Sequence, residues 1–193
     1  MGALRRTIGI GLAIGAVAGS YTAVRSGVAT PVDNYLRDKV ARGHEPRVDR
    51  VVSAATDLGS LYGLAGVVIS LTSSGRHREA VDVGVSGLAA WGAAQAAKPL
   101  LIRQRPYELG TATRLVSVPA GTSWPSGHSA VAAAMAVTLS AYLGPAGRVA
   151  VWSAAGAVGV SRLHVGVHHF TDVIAGWGIG ALCAAVWRAI ARR

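Results

Sequence analysis

Residues 161–172 read "SRLHVGVHHFTD" and stand between two apolar runs, 149–160 and 173–187. The stretch holds three histidines, an arginine and an aspartate. Its flanks read as membrane-embedded helices, which makes the stretch a polar turn between the last two spans of a helical bundle. Ionisable groups at the edge of an apolar run cost free energy, so each of them calls for a reason.

Composition supports the membrane reading. The 193 residues are 51% hydrophobic and only 15% charged, too apolar for an ordinary soluble domain. The net charge is +10, from 19 Lys+Arg against 9 Asp+Glu. Such a balance suits nucleic acid in a soluble protein. Here the arginines sit mostly between apolar segments, so no nucleic-acid partner is expected. Positive-inside anchoring and anionic lipid or phosphate ligands fit better. The single cysteine, Cys183, lies in the last apolar run, excludes an intramolecular disulfide and reads as a small core residue. The Ala/Gly/Val/Arg-rich composition suggests a GC-rich bacterial genome.

Working outward, six apolar segments can be drawn: about 7–24, 51–73, 80–102, 126–143, 149–163 and 169–189. The expected fold is an all-α polytopic membrane protein, a bundle of about six transmembrane helices with a short amphipathic helix after the first. The chain forms one domain over 1–193, with a motif-bearing core at 98–172 and an interfacial segment at 26–50. Arg5 and Arg6 before the first segment also fit a cleavable signal peptide, but the count works best with that helix retained. In "TPVDNYLRDKVARG" (30–43), Thr30 suits an N-cap, Pro31 the first helical position and Asp33 a weak capping box. Val32, Tyr35, Leu36 and Val40 share one face, and Gly43 is a stop, so this helix is expected at the membrane surface or as a plain connector. Residues 107–124 are too polar to span and form a loop. With the N-terminus inside, Arg5/Arg6, Arg76/Arg78, Arg148 and Arg188/Arg192/Arg193 all fall on inner ends. The 25–50 segment, the 103–125 loop and the 161–169 turn then share the outer face.

Three groups on that face carry chemistry. Lys98 and Arg105 in "KPLLIRQRP" are seven apart and would point the same way on a helix. They make either an anion clamp or a pair of snorkelling cations. In "WPSGHSAVAAAMAV", Ser126 can cap the next helix and Gly127 lets a ligand approach the backbone. A helix N-terminus suits phosphate, and His128 in the first turn could donate a proton; a capping serine beside an incidental histidine is the plainer reading. His168 and Asp172 are four apart, so on a helix the aspartate could orient the imidazole as a nucleophile or base. Arg162 joins the same ligand only if the chain bends, and Gly166 between two valines offers the bend. The rival reading, His164, His168 and Asp172 as metal ligands along one unbroken helix, needs that glycine to be helical.

Taken together, Lys98-x6-Arg105-Pro106, Pro125-Ser126-Gly127-His128 and Ser161-Arg162-x5-His168-x3-Asp172 resemble the three-part motif of the type 2 phosphatidic acid phosphatase superfamily. Every motif position is filled, in order and spacing. The resemblance implies a membrane lipid phosphatase on the extracytoplasmic face of the cell membrane. His168 would attack phosphorus to give a phosphohistidine, Asp172 would orient it, and His128 would protonate the leaving oxygen. Lys98, Arg105, Ser126, Gly127 and Arg162 would hold the phosphate, with no metal or other cofactor needed. The lipid substrate would be a polyprenyl phosphate or diphosphate, phosphatidic acid or phosphatidylglycerophosphate. His164 and His169 fall at variable positions and read as neighbours. Tyr107, Glu108 and Arg114 sit where a headgroup selector would. A non-catalytic lipid-phosphate-binding protein is the alternative. A vanadate haloperoxidase shares the motif but is larger and soluble. A transporter would place its charges mid-span rather than at helix ends.

Overall fold

The computed structural model describes residues 2–41 and 44–191, with side chains from Thr7 onward. All regular structure among them is helical: α1 (Gly2–Arg25), α2 (Thr30–Val40), α3 (Pro46–Asp57), α4 (Leu61–Ser73), α5 (His77–Ala97), α6 (Gly127–Leu139), α7 (Pro145–His164) and α8 (Phe170–Ile190). The Gly43 stop, Arg192 and Arg193 lie outside the described residues, as do the side chains of Arg5 and Arg6.

Helix α6 runs through the centre, with α5, α7 and α8 around it. Its sequence, "GHSAVAAAMAVTL", is mostly small, and nearly every residue from Ser129 to Thr138 is buried. Apolar helices in an apolar medium associate through close packing, which small residues permit. Helix α8 answers with Gly176 and Gly180. A Cβ there would come within 2.4 Å of the Ser126 carbonyl and 2.1 Å of the Ala130 carbonyl. Across α8, helix α1 packs near the site: Trp124 Nε1 donates to Ser20 Oγ at 3.0 Å, and Ser20 Oγ donates to the Thr171 carbonyl at 2.7 Å. At the other end of the bundle, Asp82 accepts from Trp187 Nε1 at 2.7 Å and from the Tyr142 hydroxyl.

By length and apolarity alone, α1 (from Thr7) and α8 qualify as membrane-crossing helices, and α3 with α4 make a third if the pair is one span. The expected continuous span over 51–73 is not continuous. It breaks at Leu58–Ser60, and the two helices meet at 63°. Ser60 caps α4 through its hydroxyl, which accepts from Gly63 N at 3.1 Å. The expected 80–102 helix also stops early. It ends at Ala97, passes through a 3₁₀ turn at Lys98–Leu100 and continues extended.

Helix α2 forms where expected, but Ala29 rather than Thr30 is its N-cap, and Asp33 makes no capping box. The helix turns its polar side inward. Asp33 and Arg37 are buried, while Val32 and Tyr35 face outward. Residues 107–124 form a loop of turns, as the polarity required.

Candidate active site

The site is assembled from five segments that meet above the N-termini of α6 and α8. Lys98, in the 3₁₀ turn, sends Nζ to the Thr122 carbonyl at 2.6 Å. The chain beyond it leaves the helix, with Leu101 extended, and Arg103 and Arg105, two residues apart, take different partners. Lys98 and Arg105 therefore do not share a helix face. They meet because the Arg105 guanidinium reaches the same Thr122 carbonyl at 3.1 Å. It also donates to the carbonyls of Val167 (2.8 Å), Ala120 (3.2 Å) and Gly121 (3.1 Å).

Helix α7 ends at His164, and Gly166 has φ +73°, so the bend between Arg162 and His168 is real. A side chain at Gly166 would meet the Thr113 carbonyl at 2.4 Å. The bend overturns two helix-based expectations. His164, His168 and Asp172 share no helical face, which removes the one-helix metal site. His168 also lies before α8 rather than within it. The pair still meets: His168 Nδ1 is 3.6 Å from Asp172 Oδ2, an ion-pair distance longer than a hydrogen bond. His168 Nε2 is 3.5 Å from a guanidinium nitrogen of Arg105. A carboxylate only accepts, so the proton belongs on Nδ1, and Nε2 offers its lone pair.

Asp172 is wholly buried at the start of α8. Its Oδ2 accepts from Ser123 Oγ at 2.6 Å and from His169 N at 2.8 Å, which caps the helix. Its Oδ1 accepts from Arg103 at 2.6 Å. Arg103 also donates to Asp33 Oδ2 at 2.5 Å and to Thr171 Oγ1 at 2.9 Å. Asp33 in turn accepts from Thr171 N at 2.9 Å. The charge of Asp172 is thus matched by Arg103, and Arg103 is held by Asp33.

Arg162, in the last turn of α7, donates to Thr56 Oγ1 of α3 at 2.9 Å. Ser126 is the N-cap of α6; its oxygen accepts from Ser129 N (3.4 Å) and Ser129 Oγ (2.9 Å), leaving its own O–H to donate. Gly127 and His128 follow in the first helical turn, where backbone N–H groups have no intrahelical partner. His128 is half-buried, and among the described residues its ring has no hydrogen-bond partner. Beside the site, His169 Nε2 pairs with the Gln104 carbonyl at 3.1 Å. His164 faces away, toward Asp49 of α3 at 2.7 Å.

The electrostatics are those of an anion site. Among the described residues, no carboxylate lies within ion-pair distance of Lys98, Arg105 or Arg162; their side-chain partners are carbonyls, one hydroxyl and the His168 imidazole, all neutral. The Nε atoms of Arg105 and Arg162 are buried and have no hydrogen-bond partner among the described residues. Burial, reinforced by the charges of Arg105 and Arg162 and opposed by Asp172, holds the Lys98 ammonium at a pKa of about 8. Burial pulls His168 down to about 3, with Asp172 opposing and the two arginines adding to the shift. The imidazole is therefore neutral at physiological pH. Burial likewise lowers Arg105 and His169.

All predicted site residues come together. Sequence reasoning missed Arg103, Asp33, Ser123 and Thr56. A second arginine two residues before Arg105 was the one local signal for the first. The others pair across large sequence separations.

A model described as the PAP2 superfamily matches residues 79–193. Among solved structures, Aquifex aeolicus LpxE is 24% identical, with a TM-score of 0.72, covering 80% of this chain and 93% of that one. A transmembrane PAP2 type phosphatidylglycerolphosphate phosphatase from Bacillus subtilis is 22% identical, with a TM-score of 0.74, covering 95% of this chain and 96% of that one. At these identities the likeness establishes a shared fold. No curated protein matches the sequence.

Proposed function

Because the chain belongs to the PAP2 superfamily, we propose that it is a membrane-integral, metal-independent lipid phosphatase working through a phosphohistidine. One observation carries the reading: two buried arginines, Arg105 and Arg162, and the half-buried Lys98 gather beside His168 with neutral partners alone. Burying cations without counter-charge costs several kcal/mol each. A phosphate dianion relieves that cost and fills the open Nε positions of the two arginines.

The residues then take these roles. His168 Nε2 donates its lone pair to phosphorus, and the P–O bond to the lipid breaks. His128 gives a proton to the departing oxygen. Water next attacks the phosphohistidine, His128 takes the water's proton, and the P–N bond breaks to release phosphate. Asp172 keeps the proton of His168 on Nδ1 and supports the charge that grows on the ring. Lys98, Arg105, Arg162, the Ser126 hydroxyl and the Gly127 N–H hold the equatorial oxygens, where the transition-state charge spreads.

The substrate is a phosphomonoester or diphosphate on a lipid, of polyprenyl, phosphatidic acid or phosphatidylglycerophosphate type. An apolar groove of about 130 Å³ between α4, α6 and α7 supports a tail between the helices. It is lined by Leu58, Val67, Met135, Leu139 and Val158 among others. Its Leu58 end adjoins Gly59, where a Cβ would stand 2.6 Å from the His128 carbonyl. Tyr107, Glu108 and Arg114 stand at the loop beside the site, and Glu108 accepts from Arg105 N at 2.7 Å; headgroup selection is assigned there. The chain is one domain, with core 98–172 and an interfacial segment over 26–50. Six crossings of the cell membrane put the site on the extracytoplasmic face, consistent with the Arg distribution.

The test is phosphate release from a panel of lipid phosphates by the purified full chain in detergent, with a chelator present. Turnover is expected. Activity lost to the chelator and restored by magnesium would sink the metal-independent mechanism. Tight binding of lipid phosphate without turnover would favour a non-catalytic binding protein.

A further inference from the structure

Behind the site, a second cluster joins α3 to the end of α7. His164 is buried, and its Nδ1 lies 3.0 Å from the Val40 carbonyl. A carbonyl only accepts, so Nδ1 carries the proton and Nε2 of the neutral ring presents a lone pair. That lone pair faces Asp49 Oδ1 at 2.7 Å, another acceptor. His44 Nδ1 approaches the same oxygen at 3.3 Å. Two imidazole nitrogens and one carboxylate oxygen thus converge, with all ligand atoms within 4.8 Å of one another. A hydrogen or a metal ion must stand between each of these nitrogens and the oxygen.

We propose that His44, Asp49 and His164 bind a transition-metal dication of the zinc class, outside the phosphate site and with a structural role. Two imidazoles and a carboxylate, with water in a fourth position, are a donor set that suits such an ion. Tetrahedral ligands at about 2.0–2.1 Å from zinc stand about 3.3–3.4 Å apart. The His44–Asp49 separation already has that value, and His164–Asp49, at 2.7 Å, needs to open by roughly 0.6 Å. The Nδ1–H to carbonyl contact of His164 is the outer hydrogen bond that orients a ligating imidazole. Access comes from a hollow of about 320 Å³ lined by Arg37, Asp38, Ala41, His44 and residues 111–113.

The ion would clamp the α2–α3 connector, α3 and α7 together. Asp49 and Thr56 are seven apart on α3 and so lie on one face of it. Thr56 accepts from Arg162 at 2.9 Å and from Ser161 Oγ at 2.8 Å. Metal at one end of this seam stiffens the helix that holds the Arg162 guanidinium at the other.

The experiment uses the full chain in detergent, with any affinity tag removed and metals stripped by dialysis against a chelator. Titration calorimetry with Zn²⁺ is expected to show one equivalent bound at micromolar or tighter Kd, and Zn²⁺ but not Mg²⁺ is expected to raise Tm. Co²⁺ should give the visible bands of a four-coordinate site. His44→Ala, at an exposed position, and the near-isosteric Asp49→Asn are each expected to weaken binding at least tenfold without altering the helical circular dichroism. No Zn²⁺ binding by the native chain would overturn the proposal and leave both rings as hydrogen-bond partners of Asp49. Binding undiminished in the double variant would overturn it equally, by locating the ion elsewhere. Neither readout depends on phosphatase turnover, so failure here and failure of the catalytic reading are separable.

Discussion

His164 and His168 stand four residues apart on either side of Gly166, and the protein treats them oppositely. The ring of His164 has both nitrogens within 3.0 Å of oxygen partners, Val40 and Asp49. The ring of His168 is just as buried, yet its contacts are loose, 3.6 Å to Asp172 and 3.5 Å to Arg105. The partners, in contrast, are tightly fixed: Asp172 accepts three short hydrogen bonds and Arg105 donates four. A ring held on both nitrogens is a structural strut. A ring left loose among rigid neighbours keeps a lone pair for reaction.

The sharpest way to break this contrast is at the reactive ring. His168→Ala is expected to lower phosphate release by at least about a thousandfold, with the helical circular dichroism unchanged. Activity within tenfold of the native protein would remove the nucleophile from His168. Next in size is the hinge between the rings. Gly166→Ala forces a Cβ to 2.4 Å from the Thr113 carbonyl at φ +73°. The strain is worth about 1–3 kcal/mol, and a 1 Å shift of His168 would lower kcat about a hundredfold. Thermal unfolding and single-turnover kinetics on the same preparation check both.

A smaller effect is expected behind Asp172. Asp33→Asn removes the charge that holds Arg103, which lets the guanidinium drift from Asp172. A fall of about tenfold in kcat, with KM nearly unchanged, is the signature of positioning; a change confined to KM would argue for substrate contact instead. The mildest test uses pH. Lys98 loses its proton as pH rises through about 8, so kcat/KM should fall roughly tenfold by about one unit above that. Stability should move the other way. The folded chain binds fewer protons than the unfolded one between about 8 and the usual lysine value of about 10.4, so unfolding becomes harder across that window. Lys98→Arg should shift the alkaline limb upward; an unmoved limb would assign it to another group.

How much of this was legible in the sequence differs by level. The apolar runs marked the long helices, and Gly166 between valines marked the bend. The residues singled out in the sequence converge in the fold, but partly by another geometry than the one expected. Lys98 and Arg105 meet through a shared carbonyl after an extended segment, not along a helix face. The break at Leu58–Ser60 was hidden because both flanks are apolar and hydropathy averages over it. The burial of Asp33 and Arg37 on α2 was hidden too, since a helix at the membrane surface is expected to keep its charges in water. Asp33, Arg103 and Asp172 form a chain only after folding brings together residues about 70 positions apart. No local pattern encodes such a contact.

The four carbonyls around Arg105 have one more consequence. An arginine side chain has about 2 kcal/mol of rotamer entropy to lose when a ligand immobilises it. Here that loss has already occurred during folding, because the guanidinium is fixed by Ala120, Gly121, Thr122 and Val167 before any phosphate arrives. Binding energy that a mobile clamp would spend on ordering itself stays available for the transition state. The same rigidity does not distinguish a phosphoryl group in flight from inorganic phosphate at rest, so the product should be held as well, and orthophosphate should act as a competitive inhibitor.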